Sequence, residues 1–119
     1  MAPKKVMIVD DDRTMNSLLK TLLELDGFAV ALAPRGEVVL STALAEKPDA
    51  ILMDVHIADA DGVELLRQLR QHSALKSIPV IMSSGMDVED KAKAAGATAF
   101  ILKPYPPEQL SALLKKVLA

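Results

Sequence analysis

The chain has 119 residues, 50% of them hydrophobic and 25% charged, with a formal net charge of −2 and no cysteine. That is the size and balance of one soluble globular domain able to bury a core without staples. Disulfides, thiolate metal sites and cysteine nucleophiles are excluded, which fits a cytoplasmic protein, and the lack of a basic block argues against direct nucleic-acid binding. In chain order, Lys4-Lys5 precede an apolar stretch too short for a secretory leader, and Val6-Met7-Ile8-Val9 reads as a buried strand ending in Asp10-Asp11-Asp12. From Arg13 to Asp26, Met15, Leu18, Leu19, Leu22 and Leu23 recur at helical spacing, with Asp12 placed to cap and Gly27 to stop the helix. The leucine stripe reads as core. Phe28 to Ala33 forms a second strand, Glu37 to Ala45 a short helix, and Ala50 to Met53 a third strand after Pro48. Val63, Leu65, Leu66 and Leu69 mark a third helix, and Pro79 opens a fourth strand, Val80-Ile81-Met82. A short helix over Val88 to Ala95 leads to a fifth strand, Ala99 to Leu102. Pro107 suits the first turn of a last helix carrying Leu110, Leu113, Leu114 and Val117. No apolar run reaches the length needed to cross a bilayer.

Continuous apolar strands alternating with helices imply an α/β fold, a doubly wound five-stranded parallel sheet in a three-layer sandwich. Periodicity leaves the strand order open; 2-1-3-4-5 is one common order, and the residues at the strand ends favour it. Ligands of such sheets bind beyond the carboxyl ends of the strands. Strand one runs into Asp10, Asp11 and Asp12, strand three into Asp54, strand four into Ser83 and Ser84, and strand five into Lys103-Pro104. Strand two ends in nothing reactive, and the order 2-1-3-4-5 puts it at an edge.

Crowded carboxylates repel one another, and a hard cation with oxygen ligands relieves this; magnesium takes one or two carboxylates and accepts phosphate oxygens. An aspartate can attack phosphorus to form an acyl phosphate. The transfer then needs in-line positioning and neutralised charge, which a lysine, a hydroxyl and a metal can supply.

Taken together, Val9-Asp10-Asp11, Met53-Asp54, Asp61-Gly62, Pro79 to Ser84, Gly96-Ala97 and Lys103-Pro104 resemble the receiver family of response regulators in bacterial two-component signalling, over essentially the whole chain. The resemblance implies a flavodoxin-like, CheY-like fold over one receiver domain, residues 1–119. It implies that Asp54 accepts a phosphoryl group from a sensor histidine kinase or phosphotransfer protein. Magnesium is implied as cofactor, bound by Asp11 directly, by Asp10 through water, by Asp54, and by the backbone carbonyl of His56. Ser84 matches the hydroxyl that binds the phosphoryl group and Lys103 the lysine that pairs with it; both match catalytic positions, and Ser84 also a switch position. Phe100 matches the aromatic that changes rotamer on activation, and the Lys103-Pro104 bond is expected to be cis. The implied protein is a signalling module rather than an enzyme, catalysing only its own phosphorylation and dephosphorylation, with a protein partner downstream and no membrane contact.

Three departures stand out. The family commonly has proline where Ala58 stands, so this loop is expected to be less rigid. The interval from Ser84 to Lys103 is short by roughly one helical turn, which touches the output face rather than the chemistry. His56 and Met86 occupy positions that tune dephosphorylation, and neither supplies a water-positioning acid or amide. Ser83 rivals Ser84, and strand alternation puts the two on opposite faces. His56 and His72 read as ordinary loop or helix-end residues.

Among other functions, a phosphohydrolase of the haloacid-dehalogenase type needs an acid two residues after its nucleophile, where this chain has His56. A degenerate docking receiver is at odds with the intact acids, hydroxyl and lysine. A flavin or nucleotide binder lacks a glycine-rich loop after strand one. A stand-alone regulator and a domain taken from a larger protein read alike.

Overall fold

The computed structural model describes residues 3–119. Met1 and Ala2, the start of the stretch read for a leader, lie outside the described residues. Five parallel strands form the central sheet: β1 (Lys5–Val9), β2 (Ala29–Ala33), β3 (Ala50–Asp54), β4 (Val80–Ser84) and β5 (Ala99–Leu102), in spatial order 2-1-3-4-5. The helices between them are α1 (Arg13–Leu25), α2 (Val39–Glu46), α3 (Gly62–Gln71), α4 (Glu89–Ala94) and α5 (Pro107–Val117). The expected fold class and strand order are those observed.

Each central strand feeds two cores by alternation, because successive side chains leave a strand on opposite faces. Val6 and Ile8 of β1, Leu52 of β3, Ile81 of β4 and Ile101 of β5 pack with Leu19 and Leu23 of α1 and with Leu110 and Leu114 of α5. Met7 and Val9, Ile51 and Met53, Val80 and Met82 face the other way, onto Val63, Leu66 and Leu69 of α3 and Ala92 of α4. A side chain of this size contributes about 1.5–3 kcal/mol when fully buried, so two-sided burial explains why these strands read as unbroken apolar runs.

The boundaries follow from capping. The Asp12 carboxylate accepts from Met15 N at 3.0 Å and starts α1. Gly27, at φ +94°, turns the chain out of it, as only glycine does without strain. Asp61 caps α3 by accepting from Val63 N. Gly62, in the first turn, lies so close to the Asp54 carbonyl and Val55 that any Cβ would collide with that backbone. Glycine there lets α3 start directly beneath the end of β3.

The structure departs from the sequence reading in detail. The helix expected over Glu37 to Ala45 begins as a 3₁₀ turn, Gly36–Val38, and becomes α-helical only at Val39. Leu18, read as core, is 51% exposed. The sheet face covers only the arc of α1 that carries Leu19 and Leu23, and Leu18 projects past its rim. Residues 56–61, expected as an open loop, form a small antiparallel hairpin, His56 opposite Asp61 and Ile57 opposite Ala60. Arg70, at the end of α3, donates to the carbonyls of Gly96 (2.9 Å), Lys76 (3.2 Å) and Ile78 (2.7 Å). One side chain thereby fastens the loop before β4 to the loop before β5.

Candidate phosphoacceptor site

Because β1, β3, β4 and β5 are contiguous, their carboxyl ends place Asp10, Asp54, Ser84 and Lys103 at one rim of the sheet. Lys103 joins the two carboxylates. Its Nζ lies 2.7 Å from Asp54 Oδ2 and 3.4 Å from Asp10 Oδ2. All three side chains are largely sheltered, exposed by 27% for Lys103, 13% for Asp54 and 8% for Asp10. The remaining oxygens are also bonded: Asp10 Oδ1 accepts from Asp12 N at 3.0 Å and Asp54 Oδ1 from His56 N at 3.2 Å.

Burial raises the Asp10 pKa above the ordinary 3.8; the Asp12 amide and the Lys103 charge oppose this, and the Asp54 charge adds to it. For Lys103, burial alone pulls downward, but the Asp54 hydrogen bond and the two carboxylate charges outweigh it and raise the pKa above 10.5. The lysine is thus held as a cation between two acids. Tyr105, just beyond it, has its hydroxyl pKa raised by burial first, against the lowering effect of the Lys103 charge.

Ser84 is completely buried at the end of β4, its Oγ accepting from Met86 N at 3.1 Å. Its carbonyl accepts from Lys103 N at 2.8 Å, so hydroxyl and lysine are carried on directly bonded strand ends. Ser83 is also buried and stands opposite Asp54 in the ladder. By alternation Ser84 shares a sheet face with Met82, and Met82 stands opposite Phe100. Ser84 and half-buried Phe100 therefore lie on one face, diagonally disposed. The Lys103-Pro104 peptide is cis.

Asp11 does not join the others. Its side chain turns to the hairpin, where Oδ2 accepts from Ala58 N at 2.9 Å. The His56 side chain is exposed. Among the described residues, no three or more histidine, cysteine, aspartate or glutamate side chains are arranged as a metal-binding group. The donor chemistry nevertheless suits a hard divalent cation: carboxylates at 10, 11 and 54 and a backbone carbonyl at 56 are all oxygen ligands.

Two residues beside the site escape a sequence reading. Asn16, on α1, is only 4% exposed, and its Nδ2 donates to the Asp10 carbonyl at 2.8 Å. Its Oδ1 is buried without a partner. The detectable signal is spacing: Asn16, Leu19 and Leu23 form one buried stripe of α1, and a polar residue on such a stripe calls for a reason. Asp59, at the hairpin tip, accepts from Gly36 N at 2.9 Å and Glu37 N at 3.3 Å. The Gly36 amide bond lowers the Asp59 pKa most. The loop lacking proline is thus tied to two neighbours.

Residues 6–115 match the family model described as the response regulator receiver domain. The chain belongs to that family. Curated relatives of this receiver include the alkaline phosphatase synthesis transcriptional regulatory protein PhoP of Bacillus subtilis, 37% identical over 97% of this chain and 48% of that protein. The KDP operon transcriptional regulatory protein KdpE of Escherichia coli is 40% identical over 95% of this chain and 50% of that protein. The receiver spans about half the length of these relatives. Among solved structures, the chemotaxis response regulator CheY4 of Vibrio cholerae superposes with a TM-score of 0.91 at 30% identity, covering 98% of this chain and 99% of that one. The receiver is therefore a two-component signalling domain, of a family that uses magnesium and takes phosphate from histidine kinases. No helix among the described residues is long and apolar enough to cross a membrane.

Proposed function

We propose that Asp54 is the phosphoacceptor of this receiver, taking its phosphoryl group from a sensor histidine kinase or a phosphotransfer protein in the cytoplasm, and that residues 1–119 act as one such domain. The observation that carries this reading is the Lys103–Asp54 contact of 2.7 Å at the carboxyl end of β3, beside buried Asp10. An Asp54 carboxylate oxygen attacks phosphorus in line, the P–N bond to the donor histidine breaks, and its electron pair stays on the departing imidazole. Lys103 then passes from the carboxylate to a phosphoryl oxygen, which it can bond as a cation. Ser84 turns to donate its hydroxyl hydrogen to another phosphoryl oxygen, and in turning its own oxygen leaves the Met86 amide. Asp11, Asp10 (through water), Asp54 and the His56 carbonyl would hold magnesium, and the ion would supply neutralisation of the phosphoryl charge. Phe100, on the Ser84 face of the sheet, turns inward as Ser84 moves, and this alters the surface read by a downstream protein. The domain turns over no external substrate and catalyses only its own phosphorylation and dephosphorylation.

Incubation with acetyl phosphate and magnesium, followed by intact-mass spectrometry, tests the reading. One phosphate per chain is expected, and none on Asp54→Asn. Continuous phosphate release without a labelled intermediate points to a phosphohydrolase instead, and efficient labelling of Asp54→Asn overturns the acceptor.

A further inference from the structure

We propose that the Ala58 amide is a latch on Asp11 that competes with magnesium, so that metal loading is coupled to release of the hairpin after the phosphoacceptor. The inference rests on the reading of Asp11 as a direct metal ligand. Its Oδ2 accepts from Ala58 N at 2.9 Å across 47 residues of chain. The bond is charge-assisted, since an ionised carboxylate is the acceptor. It directs Asp11 toward the hairpin tip, while Asp10 and Asp54 converge on Lys103. On this proposal the cation competes for Oδ2 itself, so Asp11 turns from the tip toward Asp54 and gives up the Ala58 bond.

The hairpin is built to present that amide. Its ladder pairs are His56–Asp61 and Ile57–Ala60, which leaves Ala58 and Asp59 as the two turn residues. Ile57 is buried and anchors the base, whereas Ala58 and Asp59 are exposed. The Ala58 N–H therefore belongs to no ladder bond, and Asp11 is the acceptor it meets. Asp59 keeps its own bonds to Gly36 and Glu37. Metal loading thus unties the tip from the end of β1 and leaves it tied to the turn before α2.

A clean perturbation exists. Neither Ala58 nor Asp59 is among the residues with positive φ, so the turn is not of the mirror-image types, and its first central position admits proline. The preceding residue, Ile57, is in a strand, the conformation a residue before proline prefers. Ala58→Pro therefore removes the N–H with the backbone path retained, and Ala58→Gly retains the N–H.

The test is a calorimetric magnesium titration of the wild type, Ala58→Pro, Ala58→Gly and Asp11→Asn, with NMR hydrogen exchange at the Ala58 amide. Ala58→Pro is expected to bind magnesium about fivefold more tightly, the scale of one exposed charge-assisted hydrogen bond removed from competition. Ala58→Gly stays within about twofold of the wild type on the same scale. In the wild type, saturating magnesium accelerates Ala58 exchange, and Asp11→Asn accelerates it without metal. Unchanged or weaker binding by Ala58→Pro overturns the latch. So does tighter binding with no magnesium effect on wild-type Ala58 exchange, which assigns the gain to loop stiffening. Wild-type magnesium affinity in Asp11→Asn overturns the metal assignment itself, and the latch with it.

Discussion

Replacing Lys103 with methionine keeps most of its apolar stem and removes the one cation that lies between Asp10 and Asp54 among the described residues. At an effective dielectric of about 20, contacts of 2.7 and 3.4 Å each correspond to roughly 5–6 kcal/mol of gross attraction. Most of that is cancelled by desolvation of the three groups. Breaking a buried pair costs about 3–5 kcal/mol and an exposed one under about 1 kcal/mol. With Lys103 27% exposed and both acids more sheltered, the net loss falls between these limits, at about 2 kcal/mol, or roughly 8 °C in Tm for a domain of this size. The loss has a definite pH dependence. The raised Lys103 pKa stabilises the fold below the ordinary lysine value of 10.5, and that contribution disappears as pH rises through the folded value. The raised Asp10 pKa has the opposite sense for an acid: the folded state holds its proton more firmly, so ionised Asp10 weakens the fold as pH rises above 3.8. Without Lys103, Asp10 is pushed up further. The mutant deficit is therefore largest near neutrality and shrinks as pH falls through the raised Asp10 pKa, where Asp10 takes up its proton. Urea melts of both proteins in chelator, from acid to neutral pH, read this out. A deficit that is constant across that range, or below about 0.5 kcal/mol at neutrality, refutes the electrostatic account and leaves lysine as a packing residue.

Gly62→Ala is expected to cost about 2–3 kcal/mol by forcing a Cβ against the Asp54 and Val55 backbone, and a melt at the wild-type Tm contradicts that close approach. Asn16→Leu fills the same stripe of α1 but leaves the Asp10 carbonyl without its donor; acetyl phosphate labelling slows roughly tenfold while far-UV circular dichroism stays unchanged. Lys47 ends α2 at φ 50°, so Lys47→Gly stabilises the domain by about 0.5–1 kcal/mol in thermal melts. The helix α4 has six residues, no side-chain cap and Ala92 as its buried residue. Amides from Val88 to Ala95 are expected to exchange faster than those of α3, and a beryllofluoride mimic to slow them; equal protection with and without it places the switch on another face.

The three central strands were legible because two-sided burial writes itself into sequence as short apolar runs. The edge strands β2 and β5 kept apolar runs although Leu32 and Leu102 are exposed, and the strand ends then located Asp10, Asp54, Ser84 and Lys103. What stayed hidden depends on directions that no period encodes. The hairpin at 56–61 has strands of two residues, too short for alternation to register. The turn of Asp11 toward Ala58 and the reach of Arg70 to Gly96 span 47 and 26 positions and involve backbone atoms, which every residue possesses and no side-chain pattern marks. Leu18 shows the converse limit: helical spacing identified the stripe of α1 but not the arc that the sheet covers.

The fastening of Arg70 gives α4 the mechanics of a lever. Its fulcrum is Gly96, where the guanidinium grips the backbone just past the final helical turn. Its outer arm begins at Met86, whose amide donates one hydrogen bond to the Ser84 hydroxyl oxygen, while Val88 and Ala92 pack against the core further along. If Ser84 turns toward a phosphoryl group, as the proposed function requires, its oxygen leaves the Met86 amide, and the arm is expected to swing most at exposed Met86 and least at Gly96. On that reading a small displacement of Ser84 is expected to be magnified at the surface, at the end of the helix nearest the site.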